Sequence, residues 1–174
     1  DKPPFMPVHQ SRNHIGDTLS NAVAPLLQGS FRSVYRLDRD TSGLVVIAKN
    51  TLSASKLAGK CDKTYYAVCN GTVNFNKTIN LPIARESKSI IKRCVSPFGE
   101  KAVTRYTSLF CKNNKTLVKI NLETGRTHQI RVHFSHCNNA LVGDTLYGQS
   151  DKNIMRQALH CGEVTFHHPI TNEK

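Results

Sequence analysis

The sequence has no apolar run long enough to span a bilayer and no clear basic amphipathic stretch. Those absences set aside a membrane partner. None of the six cysteines, at positions 61, 69, 94, 111, 137 and 161, is paired at the spacing of a zinc or redox motif. A chain of 174 residues can bury a core without disulfide staples, and its start lacks the layout of a secretion signal. The thiols are therefore expected to be reduced and mostly structural, in a cytoplasmic protein. There is no internal repeat and no low-complexity tract. Acidic residues are scarce: 12 Asp+Glu face 24 Lys+Arg, a formal charge of +12. Such a surface attracts polyanions, nucleic acid first among them.

Coarse periodicity indicates an α+β chain with a mixed, largely antiparallel sheet flanked by helices and loops. Thr18 or Asp17 caps a helix through Leu19, Ala22, Val23 and Leu26. Leu44–Ala48 is apolar on both faces and is expected to be a central strand. Asn50 or Thr51 caps a helix ending near Gly59. Residues 74–100 suggest hairpins around a basic loop, Lys88–Arg93. Val103–Phe110 and the alternating Val118, Ile120 and Leu122 suggest two strands about an Asn113–Asn114 turn. A helix from His128 to Cys137, capped by Thr127, and a strand over Glu163–Phe166 complete the outline.

Three constellations carry candidate chemistry. In YRLDRDTSG (35–43), Asp38 stands between Arg36 and Arg39, cations that favour a charged carboxylate, and Thr41 and Ser42 add hydroxyl donors. Its plain alternative is a wet charged turn. In ETGRTHQIRVHFSH (123–136), Thr127, Arg131 and Ser135 fall on one helical face, with Arg126 and His128 near the helix start, a place suited to an anion. A metal reading of His128, His133 and His136 fits less well, because five- and three-residue steps spread them around the helix. In KTYYAVCNG (63–71), Tyr65 and Tyr66 must face opposite sides of a strand, so one can enter the core while the other offers a stacking surface.

Taken in order, these segments resemble the RluA family of RNA pseudouridine synthases. That family's loop HRLD-x-x-TSG stands here as YRLDRDTSG, its K-x-Y-x-A as KTYYA, and its GRTHQIRVH is intact at 125–133. DKPPFMPVH, LVGDTLYG and RQALHCGEVTFHHP also match family segments. The resemblance implies a pseudouridine synthase fold with a central RNA-binding cleft, over one catalytic domain spanning 1–174. It implies isomerisation of uridine within RNA, without cofactor or metal; the expected target is ribosomal or transfer RNA, and the expected state a monomer. Asp38 takes the catalytic aspartate position. Tyr65 matches the tyrosine that stacks on the base. Arg131 matches the arginine that salt-bridges the aspartate, and Arg36 the one that displaces the target nucleotide. Arg36, Thr41, Ser42, Lys63, Arg126 and His128 are the expected RNA-binding residues. The chain departs from the pattern in three ways: Tyr35 replaces histidine, the stretch between Lys49 and Lys63 is short, and a strand before DKP and a tail after Lys174 are expected but lie outside these residues. A non-catalytic RNA-binding module on the same fold is the alternative.

Overall fold

The computed structural model describes residues 1–73 and 75–174; residue 74, the first of the stretch expected to form hairpins, lies outside the described residues. The chain divides into two compact units, Asp1–Lys63 with Cys161–Lys174, and Thr64–His160. The architecture is α+β with mostly antiparallel pairing. No described helix is long and apolar enough to cross a membrane.

The first unit opens with helix α1, Leu19–Val23, followed by a single 3-10 turn at Ala24–Leu26. Thr18, in extended conformation, accepts the Asn21 N–H and caps α1. The helix is shorter than its apolar spacing suggests because Pro25 diverts the chain into the tighter turn. Only Leu19 of α1 is buried, and Leu26 faces solvent. Helix α2, Thr51–Leu57, has the expected Asn50 cap, whose side chain accepts the Ser53 N–H. Gly59 follows with φ +72°, the left-handed conformation that glycine adopts without strain.

The expected central strand at 44–48 is corrected. Strand β1 is only Ser42–Gly43, and Leu44 is exposed. Beyond it the chain bonds back on itself: Val34 N–H reaches Val46 O, and Ala48 N–H reaches Arg32 O. LVVIA is thus one arm of a closed loop rather than a strand sandwiched on both faces. At Gly43, φ is +120°, and a Cβ would collide with the backbone of Cys161. Glycine is there because strand β8, Leu159–Thr165, approaches the backbone too closely for any side chain.

The second unit is built on β2 (Asp62–Asn70), β3 (Asn76–Asn80), the short hairpin β4 (Ile83–Arg85) with β5 (Arg93–Val95), then β6 (Val103–Lys112) and β7 (Lys115–Leu122). β2, β7, β6 and β3 lie side by side in that order, each pair antiparallel. Asn113 and Asn114, with φ of 52° and 56°, form the tight turn between β6 and β7. Both angles are positive, as a hairpin turn matched to strand twist requires, and asparagine tolerates them. One face of β2 buries Tyr65, Ala67 and Cys69, and β7 buries Val118 and Ile120. Tyr106 of β6 meets Phe134 of the final helix, α3 (Gln129–His136), at 5.1 Å between ring centroids.

Helix α3 starts later than expected and without Thr127 as its cap. His128 takes the cap position in left-handed conformation, φ 57°, with no capping bond from its side chain. The Gln129 side chain instead ties down the turn before the helix: its Oε1 accepts the Arg126 N–H at 2.9 Å and the Thr124 hydroxyl. Gln129, Arg131 and His133 are all buried on this helix. Buried polar groups are tolerable only when bonded. Gln129 Nε2 donates to Val103 O and Thr104 Oγ1. His133 Nε2 lies 2.9 Å from the Leu81 carbonyl, so it carries the proton, and Nδ1 accepts from the Thr104 hydroxyl. Among the described residues, no buried side-chain nitrogen or oxygen lacks a partner.

Burial pushes the His133 pKa below its ordinary 6.5; the Leu81 carbonyl opposes this shift and His136 adds to it. As pH falls through that value the unfolded chain takes up a proton that the folded histidine resists. The contribution of neutral His133 is therefore full above the ordinary value and declines with acid below it. Melting temperature followed from pH 7.5 to 5 should fall more steeply for the wild type than for His133→Gln. Parallel profiles would contradict this.

Candidate active site

The loop that bears Asp38 is shaped by its neighbours in the first unit. Thr41 N–H donates to Asp38 O, closing a turn over the two charged residues between. Leu37 and Thr41 are buried while Asp38 is half-buried, so the turn is pinned on both sides of the carboxylate. Lys2, 1% exposed, is the clamp. Its ammonium donates to the carbonyls of Pro3, Met6 and Arg39 at 2.8–2.9 Å, and its backbone exchanges two hydrogen bonds with Gly43. An ammonium has three protons, and three carbonyls take them.

The expectation that both arginines bracket Asp38 is corrected in part. Arg39 turns its fork onto Asp40, with bonds of 2.7 and 3.1 Å at the surface. An exposed pair of this kind is worth at most about 1 kcal/mol. Arg36 is exposed and makes no hydrogen bond or ion pair among the described residues. It therefore remains available to a ligand. Ser42 is buried in β1. Lys63 donates to Cys61 O at 2.7 Å and lies 4.8 Å from the centre of the Tyr35 ring. Tyr35 donates its hydroxyl to Leu44 O, and burial pushes its pKa up, with Cys161 and Cys61 adding to the rise. At the position before Arg-Leu-Asp, this chain thus holds a neutral phenol that fastens the loop.

In the second unit, β2 turns Tyr65 to its buried face, where it is 6% exposed, and Tyr66 to the other, with Lys119 over its ring at 5.8 Å. Helix α3 carries Arg131 in its first turn. Arg131 is gripped by Asp144, a residue 1% exposed: Nε donates to Oδ2 at 2.7 Å and Nη2 to Oδ1 at 2.8 Å. The same Oδ1 accepts the N–H groups of Leu146 and Tyr147. A bidentate arginine–carboxylate pair fixes the guanidinium plane as well as its position. Arg126 is drawn the other way: its guanidinium pairs with Glu100 and donates to Lys101 O. His128 Nδ1 lies 2.8 Å from the Tyr147 hydroxyl. His133 is committed to Thr104 and Leu81, and among the described residues no cluster of His, Cys, Asp and Glu is placed to hold a metal.

Asp144 and Tyr147 were not singled out from the sequence. Their signal was present in LVGDTLYG: one acid in an otherwise apolar, glycine-bracketed loop has to be buried or functional.

The family described as RNA pseudouridylate synthase matches residues 1–136. The chain belongs to this family. It is 40% identical to the Bacillus subtilis protein called Uncharacterized RNA pseudouridine synthase YjbO, over 99% of this chain and 65% of that one. It is 34% identical to Ribosomal large subunit pseudouridine synthase D of Haemophilus influenzae, over 99% of this chain and 61% of that one. The chain thus spans under two thirds of the length of these relatives. Among solved structures, Human RNA Pseudouridylate Synthase Domain Containing 1 superposes with a TM-score of 0.74 at 25% identity, covering 91% of this chain and 77% of that one. Asp38, Tyr65 and Arg131 fall inside the stretch matched to the pseudouridylate synthase family, whereas Asp144 and Tyr147 lie beyond it.

Asp144→Ala removes four accepted bonds and strips a buried guanidinium of its counter-ion. Urea unfolding should show a loss of about 3–5 kcal/mol. A loss under about 1 kcal/mol would mean that water or another acceptor replaces the carboxylate.

Proposed function

We propose that the protein isomerises uridine to pseudouridine within RNA, with Asp38, Tyr65 and Arg131 acting on one everted nucleotide. One observation carries the reading: the three motif segments fall in order within residues matched to the pseudouridylate synthase family.

The chemistry requires the bond between the sugar and uracil N1 to break, the ring to rotate, and carbon 5 to bond to the sugar. Carbon 5 loses its proton and N1 gains one, so the reaction balances without an oxidant, a reductant or a metal. Asp38 attacks the uracil ring or the sugar, or abstracts a sugar proton to give a glycal; each route needs a charged carboxylate. Uracil departing as an anion is favoured by a fixed guanidinium, and Arg131 is held in place by Asp144 before RNA arrives. Tyr65 faces the base and assists loss of the carbon 5 proton. Eversion is required because a stacked uracil hides these atoms. Arg36, with no partner to leave among the described residues, takes the place vacated in the stack.

The target is a ribosomal or transfer RNA, gripped through its phosphates. The β4/β5 hairpin presents Arg85, Lys88, Lys92 and Arg93 with Glu86 as its only acid, and the whole chain carries +12. Thr41, Ser42, Lys63, Arg126 and His128 supply further contacts. For Arg126, binding means exchanging Glu100 for a phosphate.

Transcripts of ribosomal and transfer RNA bearing tritium at uridine carbon 5 give a direct assay. Wild-type protein should release the label into water, and Asp38→Asn should not. Binding without release by the wild type would establish the non-catalytic module instead.

The hairpin has its own test. Lys92→Ala with Arg93→Ala should reduce the slope of log affinity against log salt by up to about two, if both side chains neutralise phosphates. An unchanged slope would place the hairpin away from RNA.

A further inference from the structure

We propose that Tyr147 is a positioning residue that couples the basic hairpin to Arg131. The proposal rests on the RNA reading above and adds a residue outside the stretch matched to the family.

Every part of Tyr147 is in use. Its hydroxyl accepts the backbone N–H of Arg93 at 2.9 Å, which is the first residue of β5 and the end of the basic loop. The same hydroxyl lies 2.8 Å from His128 Nδ1. One phenol oxygen can accept from Arg93 while giving its own hydrogen to that nitrogen. The Arg131 guanidinium carbon sits 5.0 Å from the ring centre, so the ring backs the cation that Asp144 holds by its edge. The His128 ring meets the Tyr147 ring edge-on, at 5.6 Å and 77°. The Tyr147 carbonyl accepts from Ser135 Oγ at 2.6 Å, and its N–H donates to Asp144. The ring also packs against the buried cluster of Ile83, Ala102 and Val132.

Two consequences follow from this arrangement. The first concerns Arg131: Asp144 fixes the guanidinium by its edge, and the Tyr147 ring backs its face, which adds a cation–π contact to the two in-plane bonds. The second concerns His128, a non-glycine residue held at φ 57°. Such a conformation persists where surrounding contacts over-determine it, and the hydroxyl bond and ring contact to Tyr147 do so. The residue that opens α3, the arginine in its first turn and the strand that ends the basic loop thus all meet at one side chain.

Ring and hydroxyl act on different partners, so two substitutions separate them. Tyr147→Phe keeps the ring over Arg131 and removes the anchor of Arg93 and His128. Tyr147→Leu removes both. The full chain would be compared in three ways: amide hydrogen exchange at Arg93, the dissociation constant for an unmodified transcript of large-subunit ribosomal RNA, and the single-turnover rate of that transcript at saturating protein. Tyr147→Phe should speed Arg93 exchange and weaken RNA binding by about three- to ten-fold, the effect of losing one or two neutral hydrogen bonds. Its rate at saturation should stay near the wild-type value. Tyr147→Leu should add a fall in that rate of about ten-fold, since the backing of the cation is gone. The proposal is overturned if Tyr147→Phe changes neither exchange nor binding, or if both variants have the same rate at saturation. Should the wild type convert no uridine, the function proposed above fails; exchange at Arg93 and the dissociation constant then decide the coupling on their own.

Discussion

The buried pair between Arg131 and Asp144 is the constraint on which the second unit's candidate site depends. Burying two ions is expensive unless geometry is close to ideal and the remaining acceptor positions are filled. Both conditions are met: the fork is bidentate, and Asp144 also takes two backbone N–H groups from its own loop. The carboxylate therefore folds the 140–148 loop around itself while it orients the arginine. A hydrophobic pair of the same volume would suit stability as well or better. What it could not supply is a cation held in one orientation in a protein-lined place, which is what a departing uracil anion requires.

The first unit meets a different demand. Its candidate nucleophile sits on a turn, and turns move unless something restrains them. Lys2 provides the restraint by pinning the Arg39 carbonyl to the start of the chain, while Gly43 lets the Cys161 backbone pass close enough to close the base of the loop. Tyr35 adds a third tie through the Leu44 carbonyl. Charge is managed by the same economy: Arg39 is occupied by Asp40, which leaves Arg36 as the arginine of this loop open to a ligand.

Features fixed by nearby residues were legible in the sequence. The Asn50 cap, the Asn113–Asn114 turn and the alternation along β7 each follow from side chains within a few positions of one another. Features fixed from a distance were not. LVVIA looked like a buried strand because composition alone cannot tell burial on two faces from one arm of a closed loop. The start of α3 differs because His128 takes a left-handed conformation at the cap position, and Gln129 reaches back to the Arg126 N–H in the preceding turn. The buried polar face of α3 depends on Leu81, Val103 and Thr104, which are 25 to 52 positions away. Asp144 and Tyr147 gain their meaning only once the chain has brought their loop against the helix. The candidate residues themselves are named by the ordered motifs, since each lies in a short, unusual run.

The central proposal is that Asp38, Tyr65 and Arg131 act on a single everted uridine. The most direct measurement is a crystal structure of the protein bound to a uridine-containing RNA stem-loop that it has been shown to bind. The account predicts one uridine turned out of its stack and touched by Asp38, Tyr65 and Arg131 together. A bound RNA whose everted base meets other residues, or only one of these three, would contradict it.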